Sequence, residues 1–206
     1  MAVIENHKEM KPFEHYTARY RQIDPAEAAR RCGILYEADR QRLILRFLYT
    51  DYALTWPEFS LHAKNGSFAL ENRAAQVLML RYVLYGSLTK GTGAFLSFRE
   101  MPWGEVYQRA FAGRCLNRAA MAFGTDLESF RRGLRNLPAT ELGQGDAACQ
   151  IEVLPGYEVR LILWAGDDEF PPSCQMLFSD NFPLTFTAED RAVVGDLVIT
   201  AVKRML

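Results

Sequence analysis

The sequence predicts an α+β protein in which a largely antiparallel sheet packs against several helices. Candidate strands follow one another in groups, and candidate helices lie between the groups, which favours α+β over a doubly wound parallel sheet. The 206 residues, 49% of them hydrophobic and 24% charged, are enough to bury a sizeable core. We therefore expect one domain over residues 1–206, with a subdomain joint at 86–93.

The elements of the first half begin and end at local signals. Asp24 precedes Pro25, and an aspartate cap followed by proline in the first turn is typical of a helix start. Gly33 is a natural residue to end that helix, and Asn65-Gly66 predicts a turn after the strands. Helices are predicted over 7–22, 25–33 and 71–85, and strands over 34–37, 42–49, 52–56 and 59–63.

The second half is predicted to contain a hairpin, 147–153 with 159–164, around the turn at Pro155-Gly156. The nearly unbroken apolar run 159–164 predicts that this hairpin is central in the sheet and buried on both faces. Thr187 begins a capping sequence for the last helix. Further strands are predicted over 94–99 and 175–178, and helices over 102–123, 126–137 and from 188 to the C-terminus.

Composition argues against several classes of function. The net charge of −1 gives no field that attracts nucleic acid or an anionic membrane, and no run of 18 apolar residues predicts a membrane span. The four cysteines have no Cys-x-x-Cys spacing, and the N-terminus does not resemble a signal peptide. We expect a cytoplasmic protein with reduced thiols and no cofactor. Because no nucleophile, base or metal motif is recognisable, the sequence leaves open whether the protein is an enzyme.

Two arginines, Arg114 and Arg118, fall within an apolar stripe of the predicted helix 102–123. A buried guanidinium is costly unless it meets an anion, so both should be substantially buried beside a carboxylate. Either they pair with acids of this chain or reach water, or they form an anion pocket. With Arg99, Tyr107 and Trp164 they are the candidate ligand-binding residues. The stripe consists of Tyr107, Ala110, Phe111, Arg114, Arg118 and Met121.

Three consecutive acids, Asp167, Asp168 and Glu169, follow the apolar strand directly and precede a double proline. Oxygen ligands of this kind suit calcium or magnesium, and Asp146 could join them across the hairpin. The alternative is a polar turn that ends the strand. Without a cation or an arginine nearby, such acids should raise one another's pKa. We expect at least one of the two helix arginines to contact a carboxylate of this group.

An ordered set of motifs runs through the second half of the chain: the segment 96–102, Tyr107, Phe111, Arg114, 123–124, 145–147, 163–171, 177–178 and 189–190. By these motifs the chain resembles a family known as a domain of unknown function, number 3786, over about residues 71–206, with a looser fit upstream. The resemblance implies a protein typical of anaerobes, in a family where some members are fused to cysteine-rich iron–sulfur segments. This chain has no cysteine cluster. The resemblance adds weight to Arg99, Arg114, Asp167 and Glu169 as site residues.

Three functions are compatible with the sequence. The preferred one is a ligand-binding or accessory module with an arginine- and acid-lined pocket, which takes a small anionic ligand or a partner protein. The second is a metal-assisted enzyme that uses the acids at 167–169. The third is a purely structural interaction domain in which arginines and acids hold two halves of the chain together.

Overall fold

The computed structural model of the protein describes residues 7–64, 71–137 and 139–205, with only the backbone of 7–10. It confirms the α+β class, because both sheets are antiparallel and helices pack beside the strands. The chain divides into two compact units, Met1–Leu88 and Thr89–Leu206, and the division falls inside the loop 86–93. That the two units belong to one domain stays a prediction. The predicted turn at Asn65-Gly66 lies outside the described residues.

The first unit contains a four-stranded sheet of order β1-β2-β3-β4 and three helices in its described residues. The predicted helix start is confirmed, since the Asp24 carboxylate accepts hydrogen bonds from the backbone N–H of Ala26 and Glu27. Gly33 ends this helix in the left-handed region, with φ of 65°. The elements are α1 (His7–Tyr20), α2 (Pro25–Cys32), β1 (Leu35–Glu37), β2 (Arg42–Phe47), β3 (Thr50–Thr55), β4 (Leu61–Ala63) and α3 (Arg73–Tyr85).

The second unit contains a five-stranded sheet of order β5-β9-β8-β7-β6 in its described residues. The predicted hairpin, β7 with β8, is central in this sheet, as expected. Helices α5 and α6 pack against the sheet, and Thr187 and Asp190 form the predicted cap of the last helix. The elements are β5 (Phe95–Ser97), α4 (Gly104–Phe111), α5 (Asn117–Phe123), α6 (Leu127–Arg135), β6 (Thr140–Leu142), β7 (Ala147–Leu154), β8 (Tyr157–Trp164), β9 (Ser173–Ser179), α7 (Phe182–Thr185) and α8 (Ala188–Arg204).

A π-helical turn, Ala112–Leu116, joins α4 to α5 and changes which face of this segment is buried. A straight α-helix would place Tyr107, Phe111 and Arg114 on one face, and that prediction is wrong. A π-helical turn contains more residues than an α-helical turn, so buried positions across it follow one another at intervals of four residues. Arg114 and Met121 are therefore exposed rather than packed in the core. The buried side chains of the segment are Phe111, Cys115, Ala119, Ala120 and Phe123.

The core of the second unit is built around aromatic rings that join the helices to the sheet. The rings of Phe98 and Phe111 are stacked, with centroids 4.1 Å apart and planes 5° from parallel. Phe178 of β9 contacts both rings at centroid distances of 6.5 and 6.0 Å. Arg191 of α8 is also buried, and its guanidinium donates to the carbonyl oxygens of Phe186 and Pro102. These contacts fix the start of α4 against α8.

The central hairpin is buried on one face and partly polar on the other. Tyr157, Val159 and Leu161 are buried, whereas Glu158 and Arg160 between them are only half-buried. The prediction of burial on both faces is therefore wrong for this part of β8, although the next alternate residue, Ile162, is buried. Side chains alternate between the faces of a strand, so the polar residues share the face away from the aromatic core.

Two buried thiols, Cys115 and Cys149, predict a loss of stability at alkaline pH. Burial raises the pKa of each thiol from 9.0 to about 12. The folded state therefore keeps the neutral thiols while the unfolded chain loses their protons. The stability that the two neutral thiols contribute is complete below about pH 9. As the pH rises from there toward about 12, the free energy of unfolding should fall by about 1.4 kcal/mol per pH unit for each thiol.

The measurement is the free energy of urea unfolding at a series of pH values, for the wild-type chain and for Cys149→Ala. The variant is less stable at neutral pH, but its stability should fall less steeply above about pH 9 because one buried thiol is missing. Parallel pH profiles for the two proteins would contradict the prediction.

Candidate functional site

A pocket of about 280 Å³ lies against the polar face of the five-stranded sheet. Strands β5, β7, β8 and β9 all contribute to it, together with the loop that precedes β5 and the turn of the central hairpin. Its volume suits a small molecule of a few heavy atoms rather than a nucleotide. The residues that line it are Lys90, Gly91, Gly93, Phe95, Glu152, Gly156, Glu158 and Ser179.

The rim of the pocket is held in place by Asp180 and Asn181, which directly follow β9. The Asp180 carboxylate accepts hydrogen bonds from Thr92, from the backbone N–H at 3.0 Å and the hydroxyl at 2.5 Å, and they lower the pKa of Asp180. The Asn181 amide donates to the carbonyl oxygens of Thr89 at 2.7 Å and Gly156 at 2.8 Å. One side chain thus connects the loop to the hairpin turn on the other side.

Arg160 on β8 stands beside the pocket with its guanidinium held in a fixed orientation. The guanidinium carbon lies 3.7 Å from the centroid of the Phe95 ring, and Nε donates to Gln150 Oε1 at 2.9 Å. Gln150 in turn donates to Glu158 Oε1 at 2.8 Å. Within the residues that the structure describes, no acceptor binds Nη1 or Nη2 of Arg160. A guanidinium that stacks on a ring and has both terminal nitrogens unbonded is suited to binding a planar carboxylate through two parallel hydrogen bonds.

Two glutamates place negative charge in the same pocket. Glu152 of β7 is directly opposite Glu158 of β8, and like charges at such a cross-strand pair are destabilising. Glu152 accepts a hydrogen bond from the Gly156 backbone N–H at 3.0 Å. Lys90 on the loop and Arg160 supply two positive charges nearby. The site therefore offers groups for the anionic end of a ligand and groups for a cationic or hydrogen-bond-donating end.

The predicted ligand-binding residues Arg99, Tyr107 and Trp164 lie apart from this pocket. Arg99 donates to the Glu105 carboxylate at 2.5 and 2.8 Å, which raises the pKa of Arg99, and both side chains are exposed. Tyr107 is exposed on α4, and Trp164 is partly exposed at the end of β8. No hydrogen bond, ion pair or ring contact joins any two of these three residues, all of which the structure describes.

Arg114 and Arg118 come together at the carboxylate of Asp196 on α8. Arg114 donates to Asp196 at 3.5 Å and to Glu189 at 3.3 Å, and Arg118 donates to Asp196 Oδ1 and, at 3.0 Å, to the Thr200 hydroxyl. Their side chains are 39% and 38% exposed, so the prediction of substantial burial is wrong. The predicted partners among the acids near the hairpin are also wrong. Ion pairs this exposed contribute about 0–1 kcal/mol each.

Two of the four acids that were candidates for a metal site, Asp146 and Asp167, accept hydrogen bonds from backbone N–H groups. Asp146 accepts a hydrogen bond from the Ala165 backbone N–H at 2.8 Å. Asp167 accepts from the N–H of Phe170 at 2.7 Å and of Glu169 at 2.9 Å, and these bonds lower the pKa of Asp167. That pKa was expected to be raised by the neighbouring acids unless a cation or arginine compensated, and backbone N–H groups instead stabilise the carboxylate.

No group of three or more His, Cys, Asp or Glu side chains in the described parts of the chain is arranged to hold a metal ion. The assignment of Asp146, Asp167, Asp168 and Glu169 to a metal site stays a prediction.

A second, shallower groove of about 540 Å³ runs beside these acids. Two glycines in its lining pack closely against Pro172, since a Cβ atom on Gly124 or Gly166 would lie 2.5–2.6 Å from that proline. Asp167 lines it, but its carboxylate already holds the turn. The groove is therefore less suited to binding a charged ligand than the pocket beside Arg160. Its lining residues are Gly124, Thr125, Leu127, Ala165, Gly166, Asp167, Phe170, Pro171 and Pro172.

Reasoning from the sequence missed the pocket, although a signal for it is present. Gln150 and Glu152 alternate with apolar residues along β7, and Glu158 and Arg160 alternate with apolar residues along β8. This period of two predicts a hairpin with one polar face. The contributions of Lys90 and Phe95 have no comparable signal. The pairing of β5 with β9 brings Phe95 to the site, and Lys90 lies on the loop that Asp180 and Asn181 hold.

The fold and the pocket define an α+β protein with two antiparallel sheets and a small charged site on the second sheet. The family model described as Domain of unknown function (DUF3786) matches residues 24–201, so the chain belongs to this family. The match extends upstream of the region in which the resemblance was clear from the sequence. Comparisons with curated proteins and with solved structures found no match. Among the described residues, no helix is both long enough and apolar enough to cross a membrane.

Proposed function

We propose that the protein is a binding module for a small molecule with a carboxylate at one end and hydrogen-bond donors at the other, such as a free amino acid. The observation that carries this proposal is the guanidinium of Arg160, which stacks on Phe95 at 3.7 Å while its terminal nitrogens bind no acceptor in the described residues. Such pre-organisation lowers the entropy lost when a carboxylate binds.

The charges around the pocket favour a ligand with one negative group. Arg160 and Lys90 balance Glu152 and Glu158, so a phosphate with two negative charges would meet two repelling carboxylates. An amino group placed between the glutamates would relieve the repulsion of the cross-strand pair. The same groups that disfavour a phosphate therefore favour a zwitterion.

Calorimetric titration of the full chain with single amino acids tests the proposal. For the best-binding amino acid, its amide lacks the carboxylate and its deaminated acid lacks the amino group, and both should bind less tightly. Arg160→Lys keeps the positive charge but loses the two parallel N–H groups of the guanidinium. We expect about 10-fold to 100-fold weaker binding, because hydrogen bonds to charged groups contribute about 1.5–3 kcal/mol.

The matched control is Arg99→Lys, because Arg99 is an exposed arginine that is paired with Glu105 away from the pocket. Its affinity for the same ligand should equal that of the wild type. If no amino acid binds, or if Arg160→Lys and Arg99→Lys bind equally well, the proposal is wrong.

A further inference from the structure

The amide of Gln150 on β7 bridges two charged side chains of β8 at the pocket. Its oxygen accepts a hydrogen bond from Nε of Arg160 at 2.9 Å, and its nitrogen donates to Oε1 of Glu158 at 2.8 Å. The amide can point in only one direction, because a guanidinium only donates hydrogen bonds and an ionised carboxylate only accepts them. One neutral side chain therefore binds a cation through its acceptor and an anion through its donor.

The register of the central hairpin places Gln150 where it can make both contacts. Gln150 is directly opposite Arg160, and Glu152 is directly opposite Glu158, so Gln150 is the diagonal neighbour of Glu158. Opposite and diagonal neighbours on one face of an antiparallel pair are within reach of long side chains. A glutamate at position 150 would repel Glu158, and a lysine would repel Arg160.

Arg160 and Glu158 could otherwise neutralise one another. They are two positions apart on β8, so their side chains project from the same face and their Cα atoms lie about 7 Å apart. Both side chains are long enough to meet across that distance. Among the described residues, however, no ion pair joins them, and each instead contacts the Gln150 amide. A direct pair would occupy the groups that a zwitterionic ligand needs.

We propose that Gln150 is a positioning residue that determines the specificity of the pocket. It keeps Arg160 and Glu158 from pairing, so that the guanidinium remains available for the carboxylate of a ligand and the glutamate for its amino group. The inference rests on the proposed function for the identity of the ligand. The separation of the two charges by Gln150 can be measured without any ligand.

A crystal structure of ligand-free Gln150→Met tests this separation directly. Methionine keeps the length and flexibility of the side chain but has no amide to donate or accept. We expect a nitrogen of Arg160 within about 4 Å of a carboxylate oxygen of Glu158, the distance of an ion pair. The matched control is Gln175→Met, which changes an exposed glutamine of β9 and should leave Arg160 and Glu158 apart.

Binding of propionate, a carboxylate without an amino group, tests the consequence for the pocket. In an NMR titration, Gln150→Met should bind propionate about 3-fold to 10-fold more weakly than the wild type, because a partly exposed ion pair then competes for the guanidinium. In the double variant Gln150→Met with Glu158→Gln, the competing carboxylate is gone. Its affinity should return to that of Glu158→Gln alone, whereas a merely structural role of Gln150 would leave it weak.

The outcomes separate this inference from the proposed function. If Arg160 and Glu158 stay apart in ligand-free Gln150→Met, or if the double variant binds propionate as weakly as Gln150→Met, Gln150 does not act in this way. If the two residues pair in Gln150→Met but no amino acid binds the wild type, the proposed function is wrong while the separation of charges by Gln150 stands.

Discussion

Replacing Phe111 with alanine should lower the free energy of unfolding by about 3–5 kcal/mol, the usual cost of truncating a buried phenylalanine. The ring is fully buried, stacks on Phe98 at 4.1 Å and contacts Phe178, so the variant leaves a cavity between α4 and the sheet. The measurement is urea unfolding of the full chain, with hydrogen exchange of the β7–β8 hairpin to report on the second unit by itself.

The matched control is Met121→Ala on α5, a residue that a straight helix would place on the same face as Phe111. Met121 is 68% exposed, so its truncation should change the free energy of unfolding by no more than about 0.5 kcal/mol. Equal losses for the two variants would contradict the change of buried face at the π-helical turn. A loss below about 1 kcal/mol for Phe111→Ala would contradict the packing of the aromatic core.

The second large effect is expected at Gly104, the first residue of α4. A Cβ atom at this position would lie 1.8 Å from the carbonyl oxygen of Phe98 and 3.0 Å from the Cα of Arg99. Both atoms belong to the backbone, so relief requires movement of the 98–100 turn and of the Phe98 ring that stacks on Phe111. We expect Gly104→Ala to lower the free energy of unfolding by about 3 kcal/mol, at the upper end of the cost of overpacking.

Gly113→Ala provides a control of opposite sign within the same helical segment. No heavy atom lies within 4 Å of a Cβ atom built on Gly113, which is exposed in the π-helical turn. Alanine should therefore raise the free energy of unfolding by up to about 1 kcal/mol through its better helix propensity. The same urea titration measures both variants, and a Gly104→Ala protein as stable as the wild type would show that the turn adapts without cost.

The predicted arginine site illustrates why site residues are harder to derive than elements. Whether Arg114 and Arg118 are buried depends on the phase of a helix over more than four turns, and one π-helical turn changes that phase. Whether they are free depends on α8, which lies about 80 residues later in the chain and supplies Asp196. Neither fact follows from local spacing, and together they place both arginines in ion pairs with acids of α8.

The sequence by itself determined the α+β class, most of the helices and strands and the central position of the β7–β8 hairpin. These features depend on local signals, such as the Asp24 and Thr187 caps, and on hydrophobic runs longer than one turn. It did not predict β6 or α7, which are three and four residues long.

Only the tertiary structure decided which charged residues meet. Strand pairing places Phe95 under the Arg160 guanidinium and Glu152 opposite Glu158. These residues are up to 65 positions apart in sequence, and no local propensity connects them. The physical reason is that helix caps and strand alternation act over a few neighbouring residues, whereas a binding site depends on the register between distant strands, which the packing of the whole sheet fixes.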